Sequence, residues 1–198
     1  MGLDLEYIKG QTPIEEEEQE ALKIKTISTR GELDEFEQAN IENAVEWSLR
    51  NKYTYDQILE VGFIRTVHRR MFSEVWGWAG VFRKTNKNIG VDKHQIEQEL
   101  VMLLDDCRFW IENDVYTEDE IAIRFKHRLV RIHLFANGNG RHSRLCADIL
   151  ISHIFKKNVF TWGRSNLTNK GEARHRYLNA IYKADEGDIG PLLAFARS

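Results

Sequence analysis

Apolar residues recur every three to four positions along most of the 198-residue chain, the spacing that places them on one face of an α-helix. Three of these segments begin with a threonine that is followed three residues later by glutamate or glutamine, the pattern of a capping box. The pairs are Thr29 with Glu32, Thr54 with Gln57, and Thr117 with Glu120. The pattern predicts an all-α fold of about seven helices.

The inward faces of several helices can be predicted from these positions. The helix after Thr29 is expected to end near Arg50 and to bury Leu33, Phe36, Ala44, Val45 and Leu49. The next is expected to bury Ile58, Phe63, Ile64, Val67 and Met71, with His68 packed or capping beside them. A last long helix is predicted from about Asn169 to Ala184, and Asp188 with Pro191 should begin a short terminal helix.

Two segments depart from helical periodicity. Residues 81–91 read as two short apolar runs, Val81–Arg83 and Ile89–Val91, around a polar turn, which predicts a β-hairpin. Residues 1–27 are acidic and poorly periodic, with glutamates at 15–18 and at 20, which favours a solvated arm. The chain is therefore divided into an N-terminal acidic arm, 1–27, and one domain, 28–198.

Composition narrows the class of protein. A chain with 42% hydrophobic and 30% charged residues is typical of a soluble domain with a real core. The formal net charge of −3 argues against nucleic acid as a direct partner. Neither a signal peptide nor a membrane-spanning run is evident, so a cytoplasmic protein is expected, with no membrane partner. Cys107 and Cys146 lie on apolar helical faces, which predicts buried thiols in a reducing compartment.

The stretch from Ile132 to Arg144 carries the candidate chemistry. Gly138 and Gly140 break the helical pattern, allow positive φ, and leave amide N–H groups uncovered where the next helix begins. Such a helix N-terminus favours a bound phosphate, and Arg141 and Arg144 would add full charges. His133, at the other end of this loop, could take a proton from an incoming hydroxyl.

Each of these residues has an ordinary structural interpretation by itself. A glycine pair between helices is usually a turn, a single histidine is usually filler, and arginines near a helix start are often solvated. A base, a carboxamide, two glycines and two arginines within twelve residues are more than a turn requires. The phosphate-site interpretation is therefore preferred.

The run H-L-F-A-N-G-N-G-R-H-S-R at 133–144 resembles the Fic family signature, H-P-F-x-(D/E)-G-N-G-R-x-x-R. The chain is also similar to this family over 76–83 and 182–192, and it most resembles a small bacterial branch named mobile mystery protein B. The resemblance implies a Fic-like helical domain in which 81–91 is a flap that holds a target protein by β-pairing. The flap residues would be Arg83, Lys84, Thr85 and Ile89.

The resemblance further implies a protein adenylyltransferase that transfers AMP from ATP to a Ser, Thr or Tyr hydroxyl of a target protein. In this interpretation His133 is the catalytic base, and Tyr177 flanks the adenine, although an ordinary half-buried tyrosine is an equal alternative. The remaining nucleotide-binding residues would be Gly138, Asn139, Gly140, Arg141 on the β-phosphate side, and Arg144 at the γ-phosphate. The implied cofactor is Mg²⁺ or Mn²⁺.

The chain departs from the signature at two positions. Leu134 replaces the proline, and Asn137 stands where the family usually has the carboxylate that binds Mg²⁺, which predicts only a weak metal ligand. Transfer of another nucleotide or phosphate group, or a non-catalytic nucleotide- or partner-binding protein, therefore remains an alternative. A toxin component neutralised by a separate antitoxin is compatible with either.

Fic proteins are often restrained by a helix with the motif (S/T)-x-x-x-E-(G/N), whose glutamate pairs with the second arginine of the signature. Thr12 and Glu16 match the first part of this motif, but Glu17 occupies the Gly/Asn position. The alternative Glu20–Ala21 lacks the Ser/Thr. The solvated arm is the preferred interpretation.

Overall fold

The computed structural model describes residues 12–164 and 171–198. These residues form nine α-helices and a short 3₁₀ helix, Trp162–Arg164, and no β-strand. The α-helices are α1 (Glu16–Gln19), α2 (Arg30–Arg50), α3 (Tyr55–Ile58), α4 (Val61–Phe72), α5 (Ile96–Glu112), α6 (Glu118–Ile132), α7 (Asn139–His153), α8 (Glu172–Asp185) and α9 (Gly190–Ala196). The predicted all-α fold class is confirmed, and the predicted start of the last long helix, 169–170, lies outside the described residues.

The three predicted threonine caps are present. Each hydroxyl accepts a hydrogen bond from the backbone amide three residues later, at the start of α2, α3 and α6. Leu59 leaves helical geometry, with φ −87° and ψ 42°, so the predicted second helix is divided into α3 and α4. Local sequence therefore determined where these helices begin, but not where each of them ends.

Helix α2 buries two of its five predicted core residues, Leu33 and Ala44. Its exposed residues include three of the predicted core positions, Phe36, Val45 and Leu49, and its buried residues are Leu33, Glu37, Asn40, Ala44 and Ser48. Asn40 donates to the Arg70 carbonyl at 2.9 Å and accepts from the Glu74 amide at 3.0 Å. Buried polar groups persist when they are hydrogen-bonded, so these contacts are consistent with the burial of Asn40 on this face.

Helices α6 and α7 pack against each other at the centre of the fold, and α4, α5 and α9 pack around this pair. The core contains Cys107 and Cys146 as buried free thiols, as predicted. Burial raises the pKa of Cys107 to about 12, so it stays a thiol near neutrality. No helix among the described residues is long and apolar enough to cross a bilayer.

Residues 12–27 pack on the domain, which differs from the solvated arm predicted for this segment. Ile14, Leu22 and Ile27 are buried. The Lys23 amide donates to the Val75 carbonyl at 2.9 Å, and Leu22 forms an isolated antiparallel bridge with Trp76. A few apolar residues among the glutamates are thus sufficient to attach the segment. The division at residue 27 stays a prediction.

The predicted β-hairpin at 81–91 is not observed. The Arg83 amide donates to the Leu134 carbonyl at 2.9 Å and the Val91 amide to the Ile132 carbonyl at 3.4 Å, so the two ends bond the last residue of α6 and the segment that follows it. The buried Arg83 side chain lies inside the loop and donates to the carbonyls of His133 at 2.6 Å and of Thr85 at 2.8 Å, and also to that of Val91. Hydrogen bonds from the Arg83 guanidinium to backbone carbonyls thus hold this loop, where backbone hydrogen bonds between two strands were expected.

Candidate functional site

The segment 133–138 joins α6 to α7 through two left-handed residues. His133 ends α6 at φ 59° and ψ 64°, and Gly138 precedes α7 at φ 77°. A Cβ on Gly138 would lie 2.6 Å from the Phe72 ring, so both the dihedral angle and the space require glycine there. A histidine in this conformation costs on the order of 1 kcal/mol, a strain often found at functional sites.

Side chains on both sides hold this loop. Asn139 accepts from the Phe135 amide at 2.9 Å and donates to the Phe135 carbonyl at 2.8 Å. His68 accepts from the Gly80 amide at 2.9 Å, so its other nitrogen carries the proton and bonds the Asn137 carbonyl at 3.1 Å. Its ring also stacks on Phe135, with centroids 3.7 Å apart. His68 is buried, as predicted for a packed residue of its helix, and its contacts with the loop were not predicted.

The loop faces a cavity of about 830 Å³. Most of the predicted site residues line it, namely Ile89, His133, Asn137, Gly138, Asn139, Gly140, Arg141, Arg144 and Tyr177. Among the residues that the structure describes, six arginines (Arg30, Arg128, Arg131, Arg141, Arg144 and Arg174) and two carboxylates (Glu99 and Asp185) line the same cavity. Four of these arginines are paired with carboxylates: Arg30 with Asp34, Arg128 with Asp106, Arg131 with Asp185, and Arg141 with Glu37. The cationic side chains that line the cavity still outnumber its lining carboxylates, which favours an anionic ligand.

The predicted flap residues are distributed unevenly around this cavity. Ile89 is exposed and lines the cavity, and Lys84 is exposed beyond it. Thr85 is half-buried, and its hydroxyl donates to Glu15 at 3.4 Å. Arg83 is only 5% exposed, with its guanidinium committed to backbone carbonyls inside the loop. Arg83 therefore holds the loop and presents no charge on its surface.

Arg141 is held by a residue that the sequence analysis did not single out. Its guanidinium contacts Glu37 of α2 at 2.6 Å and lies over the Phe72 ring, 4.9 Å from the centroid. The other Glu37 oxygen accepts from the Trp76 indole at 2.6 Å, and Glu37 is 2% exposed. The sequence signal was a glutamate one turn from Leu33, on the face of α2 that packs inward.

Tyr177 lies at the wall of the cavity between two cations. Its buried ring is 4.7 Å from the Lys126 ammonium and 5.5 Å from the Arg144 guanidinium. Burial raises the pKa of Tyr177, but Lys126 and Arg144 outweigh it, and the net shift is downward. Lys126 was also missed by the sequence analysis. It stands in the apolar stripe of α6 beside Phe125, a position that a solvated lysine would not occupy.

His133 is buried, and its Nε2 lies 3.0 Å from the Thr12 hydroxyl. Burial lowers the pKa of His133 to about 4; the charges of Arg83 and Lys87 act in the same direction, and the Val130 carbonyl opposes them. The ring is therefore neutral near pH 7. With its proton on Nδ1, the ring would accept the Thr12 hydroxyl at Nε2 and could act there as a base.

The amide of Asn137 bonds two backbone groups. Its oxygen accepts from the Gly138 amide at 2.7 Å, and its nitrogen donates to the Thr12 carbonyl at 2.9 Å. Among residues 12–164 and 171–198, no group of three or more His, Cys, Asp or Glu side chains could hold a metal ion. The described residues therefore do not form a metal site by themselves, and Asn137 offers one neutral oxygen at most.

Residues 58–151, from the end of α3 to α7, match the model of the Fic/DOC family. These residues form a Fic/DOC family domain. The matched range includes the loop, His133 and both arginines of the signature.

Curated proteins that are similar to this domain are named as protein adenylyltransferases. The chain is 27% identical over 136 residues to a protein adenylyltransferase Fic of Aedes aegypti, covering 67% of this chain but only 26% of that protein. It is 27% identical over 180 residues, 86% of each chain, to a probable protein adenylyltransferase of Sinorhizobium fredii. The chain thus spans about a quarter of the length of the first relative and most of the second.

Solved structures share the fold. The BepC protein of Bartonella tribocorum, crystallised with bound AMPPNP, superposes with a TM-score of 0.69 at 18% identity, covering 92% of this chain and 97% of that one. At this identity the likeness establishes the Fic fold, and the chemistry has to be argued from the site.

The buried histidines predict acid sensitivity of the Fic domain. Burial lowers the pKa of His142 to about 4, although its bond to the Ile64 carbonyl at 2.9 Å opposes the shift. Because the unfolded pKa is about 6.5, the unfolded chain binds the proton first as pH falls, and stability is lost between these two values. His142→Gln, which can still donate to that carbonyl, should lose about 2 kcal/mol less unfolding free energy between pH 7 and pH 5 than the parent.

Urea unfolding at the two pH values measures this difference. His94→Gln is the matched control, because His94 is exposed and packs in no core. An equal loss of stability in the parent and in His142→Gln would show that His142 is protonated without unfolding.

Proposed function

We propose that the chain is a protein adenylyltransferase that transfers AMP from ATP to a Ser, Thr or Tyr hydroxyl of a target protein. The observation that carries this proposal is that a neutral His133 and the Gly138–Arg144 segment line one arginine-rich cavity. The names of the relatives and the nucleotide bound to a protein of the same fold support the same activity.

In the proposed reaction, the ATP phosphates lie on the loop amides between Gly138 and Arg141. Nε2 of His133 takes the proton of the target hydroxyl, whose oxygen attacks the α-phosphorus while pyrophosphate leaves. Arg141, oriented by Glu37, faces the β-phosphate, and Arg144 faces the γ-phosphate. The Asn139 side chain is committed to Phe135, so Asn139 would stabilise the developing charge through its backbone amide. The chain supplies position and charge.

Mg²⁺ or Mn²⁺ would arrive with ATP, neutralise phosphate charge, and find a weak ligand in the Asn137 oxygen. A target protein would dock along the loop at Lys84, Thr85 and Ile89, which is next to the cavity. Arg83 would take part only by keeping that loop in place.

Asn137 also supports a second candidate, a nucleotide-binding protein without transferase activity. Its side chain bonds Gly138 and Thr12 and carries no charge for a metal ion. Intact-mass analysis of the chain and of lysate proteins, after incubation with ATP and Mg²⁺ or Mn²⁺, decides between the two. The transferase predicts proteins heavier by one AMP group, whereas the binding protein predicts none.

The position of Arg144 predicts nucleotide selectivity. It lines the cavity against Tyr177, so Arg144→Ala should weaken ATP about tenfold, since one charge-assisted hydrogen bond is lost, and should weaken AMP much less. Titration calorimetry with both nucleotides measures the two affinities. Arg50→Ala, on the exposed end of α2, controls for the change in net charge. Equal weakening of ATP and AMP would assign Arg144 to the structure of the cavity instead.

A further inference from the structure

One hydroxyl of this chain already occupies the position that a target hydroxyl would need. Thr12 Oγ1 lies 3.0 Å from His133 Nε2, the nitrogen proposed to take the proton. Thr12 is 7% exposed, and it lines the same cavity as Gly138, Arg141 and Arg144. The hydroxyl therefore faces both the base and the space proposed for the nucleotide phosphates.

Three sets of contacts hold Thr12 there. The Asn137 amide donates to the Thr12 carbonyl at 2.9 Å. Lys87 bonds Glu15 at 2.8 Å and Glu18 at 2.7 Å, with only 3% of its side chain exposed. Pro13 restricts Thr12 to extended backbone, and Ile14 is buried in the core. Lys87, on the loop 81–91, and Asn137, on the loop 133–138, therefore hold the segment around Thr12 in position.

We propose that Thr12 is an acceptor of the chain's own transferase reaction and is modified by His133 of the same molecule. The inference rests on the proposed function. The Thr12 proton moves to His133 Nε2, the Thr12 oxygen forms a bond to the α-phosphorus of ATP, and the bond from that phosphorus to the β-phosphate oxygen breaks. Pyrophosphate leaves, the proton passes from His133 to solvent, and Thr12 carries an AMP ester.

A tethered hydroxyl has a large kinetic advantage. A group held within reach of the base reacts as if at very high concentration, and no second molecule has to be found. The glutamates at 15–18 are not arranged to compete for the nucleotide site, since Glu15 and Glu18 bond Lys87 and since Glu16 and Glu17 are exposed. Thr12 also lines the cavity that contains the arginines. A threonine with only a packing role beside His133 would not need to face that cavity.

The sequence allows a sharp test. Trypsin cleavage after Lys9 and Lys23 releases residues 10–23, in which Thr12 is the only hydroxyl side chain. After incubation of the full chain with ATP and Mg²⁺, this peptide should gain the mass of one AMP group. Thr12→Ser should keep the gain, whereas Thr12→Val, of the same shape without the hydroxyl, and His133→Ala should abolish it.

A mixing experiment tests whether the reaction is intramolecular. The His133→Ala variant, which keeps Thr12 but lacks the base, is incubated with the active Thr12→Val variant. The 10–23 peptide of the His133→Ala variant should stay unmodified. Modification there would overturn the intramolecular assignment. If lysate proteins or other residues of the chain gain AMP while this peptide does not, the Thr12 proposal fails and the proposed function stands. If nothing gains AMP, both fail.

Discussion

Replacing His133 with alanine is expected to lower the rate of AMP transfer by at least ~100-fold, the usual loss when a general base is removed. ATP affinity should change little, because the phosphates are held by the loop amides and by the arginines across the cavity. Burial keeps His133 neutral, with a pKa of about 4, so the group lost is a free base rather than a cation that binds phosphate. Transfer rates under saturating ATP, together with calorimetric titration of ATP, measure the two quantities separately.

The left-handed backbone at His133 requires a second variant. Alanine retains the unfavourable φ of 59°, whereas asparagine tolerates it and still offers no base of suitable strength. His133→Asn should therefore be as inactive as His133→Ala, while His94→Ala, at an exposed site, should keep parental activity. Transfer at the parental rate by either His133 variant would remove His133 from the reaction.

Features that depend on neighbouring residues were predictable from the sequence. The threonine caps of α2, α3 and α6 each need only residues three positions apart, and all three are present. The proposed phosphate site is similarly local, since the glycines, arginines and His133 lie within twelve residues. The cavity brings most of the predicted residues together because one loop already carries them.

Features that depend on distant contacts were not predictable. Glu37 looks like a surface glutamate until Trp76 and Arg141 meet it, 39 and 104 positions away. Glu37 lies on the buried face of α2, whereas Phe36 and Leu49 are exposed. The predicted hairpin at 81–91 is wrong for the same reason, because the backbone amides of Arg83 and Val91 bond the carbonyls of Leu134 and Ile132 rather than a partner strand. Apolar periodicity contains no information about which polar side chains will be satisfied inside.

The structure also gives a physical role to the one chemically costly departure from the Fic signature. An aspartate at 137 could accept the Gly138 amide but could not donate to the Thr12 carbonyl. Asparagine does both, at 2.7 Å and 2.9 Å. Asn137 thus lacks the charge that would bind a metal ion, but its amide holds the N-terminal segment next to His133.

Asn137→Asp is accordingly expected to have two opposite effects. A full negative charge beside Mg²⁺ contributes about 2 kcal/mol even in high dielectric, which corresponds to a Mg²⁺ requirement for transfer to lysate proteins about 30-fold lower. Modification of Thr12 should fall instead, because the carboxylate would face the Thr12 carbonyl without a proton to share. Magnesium titrations of lysate labelling, with mass analysis of residues 10–23 in the same samples, follow both effects.

Asn137→Ala distinguishes the effect on Mg²⁺ binding from the effect on the position of Thr12, since it removes the hydrogen bond to Thr12 without adding charge. It should lose Thr12 modification as the aspartate variant does, but gain nothing at limiting Mg²⁺. If Asn137→Asp transfers AMP where the parent transfers none at any metal concentration, the natural chain is a nucleotide-binding protein on an enzyme fold. If the parent is active and the aspartate leaves its magnesium dependence unchanged, the metal does not contact residue 137, and asparagine there serves the N-terminal segment alone.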